Sequence, residues 1–238
     1  MTTAIIIQAR MRSSRLPGKV MLDLGGRTVL SHVIERCRAV SSADAVCIAT
    51  VDSPPEDPIA DEACRCGAAV FRGSENDVLA RYHHAAVSLG ATTVMRVTSD
   101  CPLIDPDVCE MVLAEHRRGG WDYTANNLAR SWPHGLDCEA MTAGALARAH
   151  ASASQPAERE HVTPWLRRNP HLRRANVGCP EPNLAGLRWT LDYPEDIAFF
   201  RALWTYLPKG ALTGWRQVCD HLLAHPELQT INAAHKAY

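Results

Sequence analysis

An uninterrupted apolar run, Ile5-Ile6-Ile7, leads straight into Gln8-Ala9-Arg10-Met11-Arg12-Ser13-Ser14-Arg15-Leu16-Pro17-Gly18-Lys19. The run reads as a buried strand, and the loop after it carries four basic residues, one Pro and one Gly. A soluble domain does not crowd that much positive charge beside a core strand without an anion to meet it. A polyphosphate suits the loop, held by Arg10, Arg15 and Lys19 together with backbone N–H groups. Arg12 has the weaker claim, and Gly18 lets the backbone approach the ligand. Two large classes are excluded by spacing. Lys19 is followed by Val20 and the loop has one glycine, so it is not GxxxxGK[ST]. Nor is it the GxGxxG of dinucleotide-binding folds.

Strand-like and helix-like segments alternate after this opening. The apolar runs 4–8, 46–50, 68–71 and 93–98 read as strands, and 59–66, 77–89 and 106–117 as helices. Asp105 is a good N-cap for the last of these. This rhythm predicts an α/β fold, a three-layer αβα sandwich around a mixed but mostly parallel sheet. The second half is less regular. It offers strands at 123–126, 173–177 and 188–191 and helices at 143–153, 161–168, 197–206 and 213–224. No linker composition interrupts the chain, so one domain over 1–238 is expected, with an irregular segment at about 121–180.

Ligands of an open α/β sheet bind outside the carboxyl ends of its strands. Three polar loops fall there: 9–19, 99–105 and 192–196. In Val94-Met95-Arg96-Val97-Thr98-Ser99-Asp100-Cys101-Pro102 an apolar strand ends in Asp100 and Pro102 turns the chain away. In Arg188-Trp189-Thr190-Leu191-Asp192 the pattern repeats. Two carboxylates at strand ends, with substrate phosphates, are what Mg²⁺ takes as ligands. Asp100 and Asp192 are therefore the candidate metal ligands. Glu195 and Asp196 suit the first turn of a helix. Cys101 reads as packing.

Composition bounds the partners. The 238 residues are 46% hydrophobic and 21% charged with a net charge of −1, so no global basic field suits nucleic acid or an anionic membrane. No apolar run approaches the roughly 20 residues that span a bilayer, and the N-terminus has no secretory pattern. Nine cysteines, an odd number without metal-site spacing, fit a reducing compartment. A cytoplasmic location is expected.

Several segments together resemble a known family. They are Gln8-Ala9-Arg10 through Arg15-Leu16-Pro17-Gly18-Lys19, Arg72-Gly73-Ser74-Glu75-Asn76-Asp77-Val78-Leu79-Ala80-Arg81, Ser99-Asp100-Cys101-Pro102-Leu103-Ile104-Asp105, Gly135-Leu136-Asp137-Cys138-Glu139, Arg159-Glu160-His161-Val162-Thr163-Pro164 and Leu191-Asp192-Tyr193-Pro194-Glu195-Asp196. In these the chain resembles the cytidylyltransferases that activate acidic sugars, and within them the spore-coat polysaccharide protein F branch. The resemblance implies a GT-A-like nucleotidyltransferase fold, CTP, Mg²⁺ and a small acidic acceptor, with pyrophosphate released. It implies that Arg10, Arg15 and Lys19 hold the triphosphate and that Asp100 and Asp192 hold the metal. Arg15, Lys19 and Asp100 become the catalytic set, and Gln8, Ala9, Ser74, Asp77 and Arg81 join the nucleotide side. On physical grounds Asp77 is as well explained as a helix N-cap. A homodimer through the irregular segment is also implied. Trp121 and Trp132 could serve such an interface, with core packing as the simpler use.

The chain departs from the Kdo enzymes at one place. It has Thr98-Ser99-Asp100-Cys101-Pro102 where they carry a Gln-Gly-Asp-Glu-Pro-like motif. The metal carboxylate is kept and its neighbours are not, which opens the identity of the acceptor. A sugar-1-phosphate or phosphonate acceptor would use the same nucleotide residues. A silent nucleotide-binding module would have less need of both carboxylates. For the acceptor pocket the candidates are Asn126, Asp137, Glu139, Glu160 and His161, with Asn127, His134 and Arg159 nearby. His83 and His84 fall on a predicted helix and read as a solvated or half-buried pair rather than as ligands.

Overall fold

In the computed structural model, residues 1–208 and 210–235 are described. Nine strands and nine α-helices run in the order β1 (Thr3–Gln8), β2 (Asp23–Leu24), β3 (Arg27–Thr28), α1 (Val29–Arg38), β4 (Ala45–Val51), α2 (Asp57–Arg65), β5 (Ala69–Gly73), α3 (Val78–Ser88), β6 (Thr93–Thr98), α4 (Pro106–Gly119), β7 (Tyr123–Ala125), β8 (Glu139–Thr142), α5 (Ala143–Ser152), α6 (Pro156–His161), α7 (Pro164–Arg168), β9 (Arg174–Asn176), α8 (Pro194–Trp204) and α9 (Trp215–Ala224) among the described residues. A seven-stranded sheet has the order β5-β4-β1-β6-β8-β7-β9, and β2 pairs with β3 in a separate hairpin. The β5-β4-β1-β6 half is parallel, β8 runs antiparallel to β6 and β7, and β9 pairs parallel with β7. The fold is thus the mixed, mostly parallel α/β sheet expected.

β1 lies at the centre of the parallel half. Its residues alternate between two cores: Ile5 and Ile7 join the cluster with α1 and α4, Ala4 and Ile6 the cluster with α3 and α5. A strand covered on both faces is uniformly apolar, which is why Ile5-Ile6-Ile7 shows no alternation. Side chains of Thr28, Asp77, Asp105 and Thr142 cap the N-termini of α1, α3, α4 and α5. No helix among the described residues is long and apolar enough to cross a membrane.

Two expectations need correction, and two elements went unpredicted. Residues 161–168 do not form one helix. Val162, buried and at φ 69°, breaks the chain between α6 and α7, and Pro164 starts the second. A β-branched residue in the left-handed region is uncommon and costs on the order of 1–3 kcal/mol. The segment 188–191 is extended but is no strand of the sheet. It makes one parallel bridge, Arg188 to His134, and its Leu191 N–H donates to the Asp100 carbonyl at 2.8 Å. The central antiparallel strand β8 and the β2–β3 hairpin carry too few residues to show a period in the sequence.

Candidate active site

The basic loop is folded by its own backbone. Gly18 stands at φ 68°, a left-handed position that an L side chain rarely adopts. Its N–H donates to the Met11 carbonyl at 2.8 Å, and its carbonyl accepts from Met21. Gly18 therefore closes the loop and is not among the residues lining the cavity beside it. Met11 N–H donates to Glu56 Oε2 at 2.9 Å, which ties the loop to the segment after β4.

That cavity, about 290 Å³, lies at the carboxyl ends of β1 and β6. Gln8, Ala9, Arg10, Arg15, Lys19 and Arg81 are among its lining residues, with Asp100 and Asp192. Of the nucleotide-side candidates, Ser74 and Asp77 do not line it. The Ser74 carbonyl accepts from Arg81 Nη1 at 2.7 Å. Asp77 caps α3 by accepting from Ala80 N–H at 2.9 Å and pairs with Arg159. Both therefore act behind the cavity wall. Arg10 lies 3.7 Å from Glu160, and Arg12 lies 3.0 Å from Glu75.

A second cavity, about 670 Å³, adjoins the first. Thr98, Asp100, His161 and Asp192 line both. Asn127, His134 and Asp137 belong to the larger one, and Glu160 to the smaller. Asn126 and Glu139, expected at the acceptor, line neither. Asn126 is 1% exposed and holds the backbone, donating to the Leu136 carbonyl at 2.7 Å and accepting from Cys138 N–H at 3.0 Å. Glu139, also 1% exposed, accepts from Arg96 at 2.5 Å and pairs with Arg167, Thr163 and Tyr123. Burial works against its charge, yet Arg96 and Arg167 more than compensate and hold its carboxyl down at about 2. Its place is in the wall, where it fixes two arginines that do line the cavity.

Arg96, Arg130, Arg167 and Arg168 line the larger cavity and were not singled out by the sequence. One signal was available. Arg96 interrupts an apolar strand at its centre, a position that needs a buried partner.

The two carboxylates converge on one point. Lys19 Nζ lies 2.8 Å from Asp100 Oδ2, 2.9 Å from Asp192 Oδ1 and 2.8 Å from the Leu191 carbonyl. Asp192 reaches this point because Leu191 N–H bonds to the carbonyl of Asp100 itself. One backbone contact thus does what a full strand was expected to do. Burial disfavours the Asp100 carboxylate, but the Lys19 ammonium outweighs it and holds the group at about 2. Burial likewise opposes the Lys19 charge, and Asp100 and Asp192 raise its pKa above the ordinary value. Arg15 Nη2 pairs with Asp192 Oδ1 at 2.8 Å, and its Nη1 donates to the Tyr193 hydroxyl at 3.2 Å. Cys101 is buried, and its thiol is pushed well up by burial and by Asp100, which suits packing.

Comparison with known proteins now separates the nucleotide-handling folds. A family profile described as cytidylyltransferase matches residues 4–203. The chain belongs to the cytidylyltransferase family, whose members are nucleotidyltransferase enzymes. Among the relatives of this cytidylyltransferase family member, an uncharacterized protein of Methanocaldococcus jannaschii is 31% identical over 96% of this chain and 93% of its own. The spore coat polysaccharide biosynthesis protein SpsF of Bacillus subtilis is 34% identical over 84% of this chain and 85% of its own. A cytidylyltransferase from Leptospira borgpetersenii superposes with a TM-score of 0.90 at 28% identity, covering 96% of this chain and 97% of that one. The CMP:2-keto-3-deoxy-manno-octonic acid synthetase complexed with CTP shares the fold, at a TM-score of 0.65 and 20% identity over 87% and 99% of the two chains.

Away from the cavities, ring nitrogens of His83, His84 and His150 lie within 4.8 Å of one another. The His83 and His150 rings stack with centroids at 4.5 Å and planes 20° apart. Arg159 Nη2 stands 3.2 Å from His150 Nδ1.

Proposed function

We propose that this protein transfers the cytidylyl group of CTP to a small acidic sugar or related anionic acceptor and releases pyrophosphate. The observation that carries the reading is the junction of two cavities at Asp100 and Asp192. A basic cavity that suits a triphosphate meets a larger basic cavity that suits an anionic acceptor, and reacting groups from each can meet between them. An acceptor oxygen forms a bond to the α-phosphorus and loses its proton, while the bond from that phosphorus to the bridging oxygen of pyrophosphate breaks.

Arg10 and Arg15 hold the triphosphate by charge-assisted hydrogen bonds. Arg15 and Lys19 stabilise the charge that gathers on the leaving pyrophosphate. Arg96, Arg130 and Arg167 orient the acceptor, and His161, lining both cavities, stands between acceptor and nucleotide. The donor set suits Mg²⁺, since two carboxylate oxygens already point at one cationic position. Asp100 and Asp192 would hold the ion, which when bound neutralises phosphate charge. Positioning and neutralisation carry the chemistry, as in other transfers at phosphorus.

Guanidinium groups accept a phosphate or phosphonate as readily as a carboxylate, so a sugar-1-phosphate or phosphonate acceptor is the second reading. Pyrophosphate release measured with four nucleoside triphosphates against acidic sugars, sugar-1-phosphates and phosphonates tests both. Turnover with CTP and an acidic sugar supports the first. Tight CTP binding with no turnover on any acceptor would contradict both and leave a binding module.

A further inference from the structure

The chain beyond the family's matched span reaches back to the active-site edge. The match ends at residue 203, whereas α9 and a 3-10 turn, Pro226–Thr230, follow it. Leu228 is buried in the core shared with β1, and Ile231 packs against it, so this segment is anchored. Asn232, 4% exposed, donates from Nδ2 to Asp196 Oδ1 at 3.0 Å and to the Arg188 carbonyl at 3.4 Å. Asp196 is fully buried, and its other oxygen accepts from the backbone N–H groups of Asp192 at 2.9 Å and Tyr193 at 3.0 Å. His235 lays its ring on Tyr193, with centroids 3.7 Å apart and planes at 2°. Its Nε2 lies 3.0 Å from Glu195 Oε2. The Tyr193 hydroxyl accepts from Arg15, whose guanidinium carbon stands 4.8 Å from the ring centroid.

We infer that Asn232 and His235 are positioning residues for the triphosphate edge of the site. Arg188 clamps both oxygens of Asp196 at 2.9 and 2.8 Å, Asn232 adds a third side-chain contact at Oδ1, and Asp196 so held fixes the backbone that presents the Asp192 carboxylate. His235 holds the Tyr193 ring in the plane from which its hydroxyl and π-face set Arg15. A short segment after residue 203, where the family profile's match ends, therefore supports both a phosphate-side arginine and a carboxylate of the junction. The inference rests on the reading of Arg15 as a triphosphate ligand.

A double-mutant cycle on the full-length protein tests it, with CTP binding measured by calorimetry in the presence of Mg²⁺ and thermal melting as a check on folding. His235→Ala is expected to weaken CTP binding by about 3- to 10-fold, the loss of one aromatic contact. Arg15→Ala should weaken it more, and adding His235→Ala to Arg15→Ala should cost little further, because the tail acts through Arg15. His235→Phe keeps the stack and should bind CTP within about 2-fold of wild type. Asn232→Ala should lower turnover more than CTP affinity, since it acts through Asp192. If Arg15→Ala weakens binding while His235→Ala leaves it unchanged, or if the two losses add in full, the inference is overturned and the triphosphate reading stands. If Arg15→Ala binds CTP as wild type does, the triphosphate reading of Arg15 fails and the inference falls with it.

Discussion

The ammonium of Lys19 sits 2.8 Å from the Asp100 carboxylate, on the point to which Asp192 also turns an oxygen. Lys19 thus bridges the two acids, while of the two Arg15 and Arg188 pair with Asp192 alone. A divalent ion would need the same oxygens, so Lys19 and the ion compete for them. Nucleotide phosphates offer Lys19 another anionic partner and would free the two carboxylates together.

Lys19→Met removes that competing charge. Without nucleotide, Mn²⁺ binding followed by electron paramagnetic resonance should be at least about 10-fold tighter in the variant than in wild type. Turnover should fall, because the same substitution removes a contact to the leaving pyrophosphate. Mn²⁺ affinity that is equal in the two proteins would show that Lys19 does not screen the acids.

Glu139→Gln should destabilise the protein at neutral pH by about 3–5 kcal/mol, since Arg96 and Arg167 lose their buried counter-charge. The pH dependence has a definite sign. The folded-state value of about 2 lies below the ordinary 4.5, so the carboxylate's contribution is present above pH 4.5 and is lost as pH falls towards about 2. Denaturant melts of both proteins between pH 7 and pH 2.5 should therefore converge at the acid end. A constant gap across that range would contradict the assignment.

Gly135 approaches the backbone of Trp189 more closely than any side chain allows. A Cβ there would stand 2.1 Å from the Trp189 carbonyl oxygen, and the residue sits at φ 119°. Gly135→Ala should cost about 2–4 kcal/mol by chemical denaturation, as backbone strain and steric displacement combine. It should also reduce turnover, because it pushes on the extended segment that delivers Asp192. A variant as stable as wild type would mean that the 134–188 bridge yields freely.

Arg130 lines the larger cavity and stands 3.9 Å from Asp137. Arg130→Ala should raise the KM for the acceptor by about 10-fold, the loss of one charge-assisted contact, and leave the KM for CTP within about 2-fold. A rise confined to CTP would reverse the assignment of the two cavities.

What the sequence disclosed follows from the strength of its local signals. Ile5-Ile6-Ile7 and Val94-Met95 are buried on both faces, so their apolar runs marked the central strands and the loops after them. Asp77 and Asp105 are caps because their chemistry and their place before a helix are both local. β8 is short and includes a fully buried Glu, so neither its strand nor the role of Glu139 could be read without the partners Arg96 and Arg167 that tertiary folding brings. The same holds for Asn126, whose polar side chain is spent on backbone groups 10 and 12 residues away. Arg188–Leu191 shows the reverse case: the predicted strand is absent from the sheet, yet a single Leu191–Asp100 contact still carries Asp192 to the junction.

Asp192→Asn tests the account most directly. In Mg²⁺ with CTP and an acceptor that the wild type turns over, pyrophosphate release should fall at least about 10²-fold, as for the loss of one transition-state contact. Release within 2-fold of wild type would contradict the claim that the paired carboxylates at the meeting of the two cavities drive the transfer.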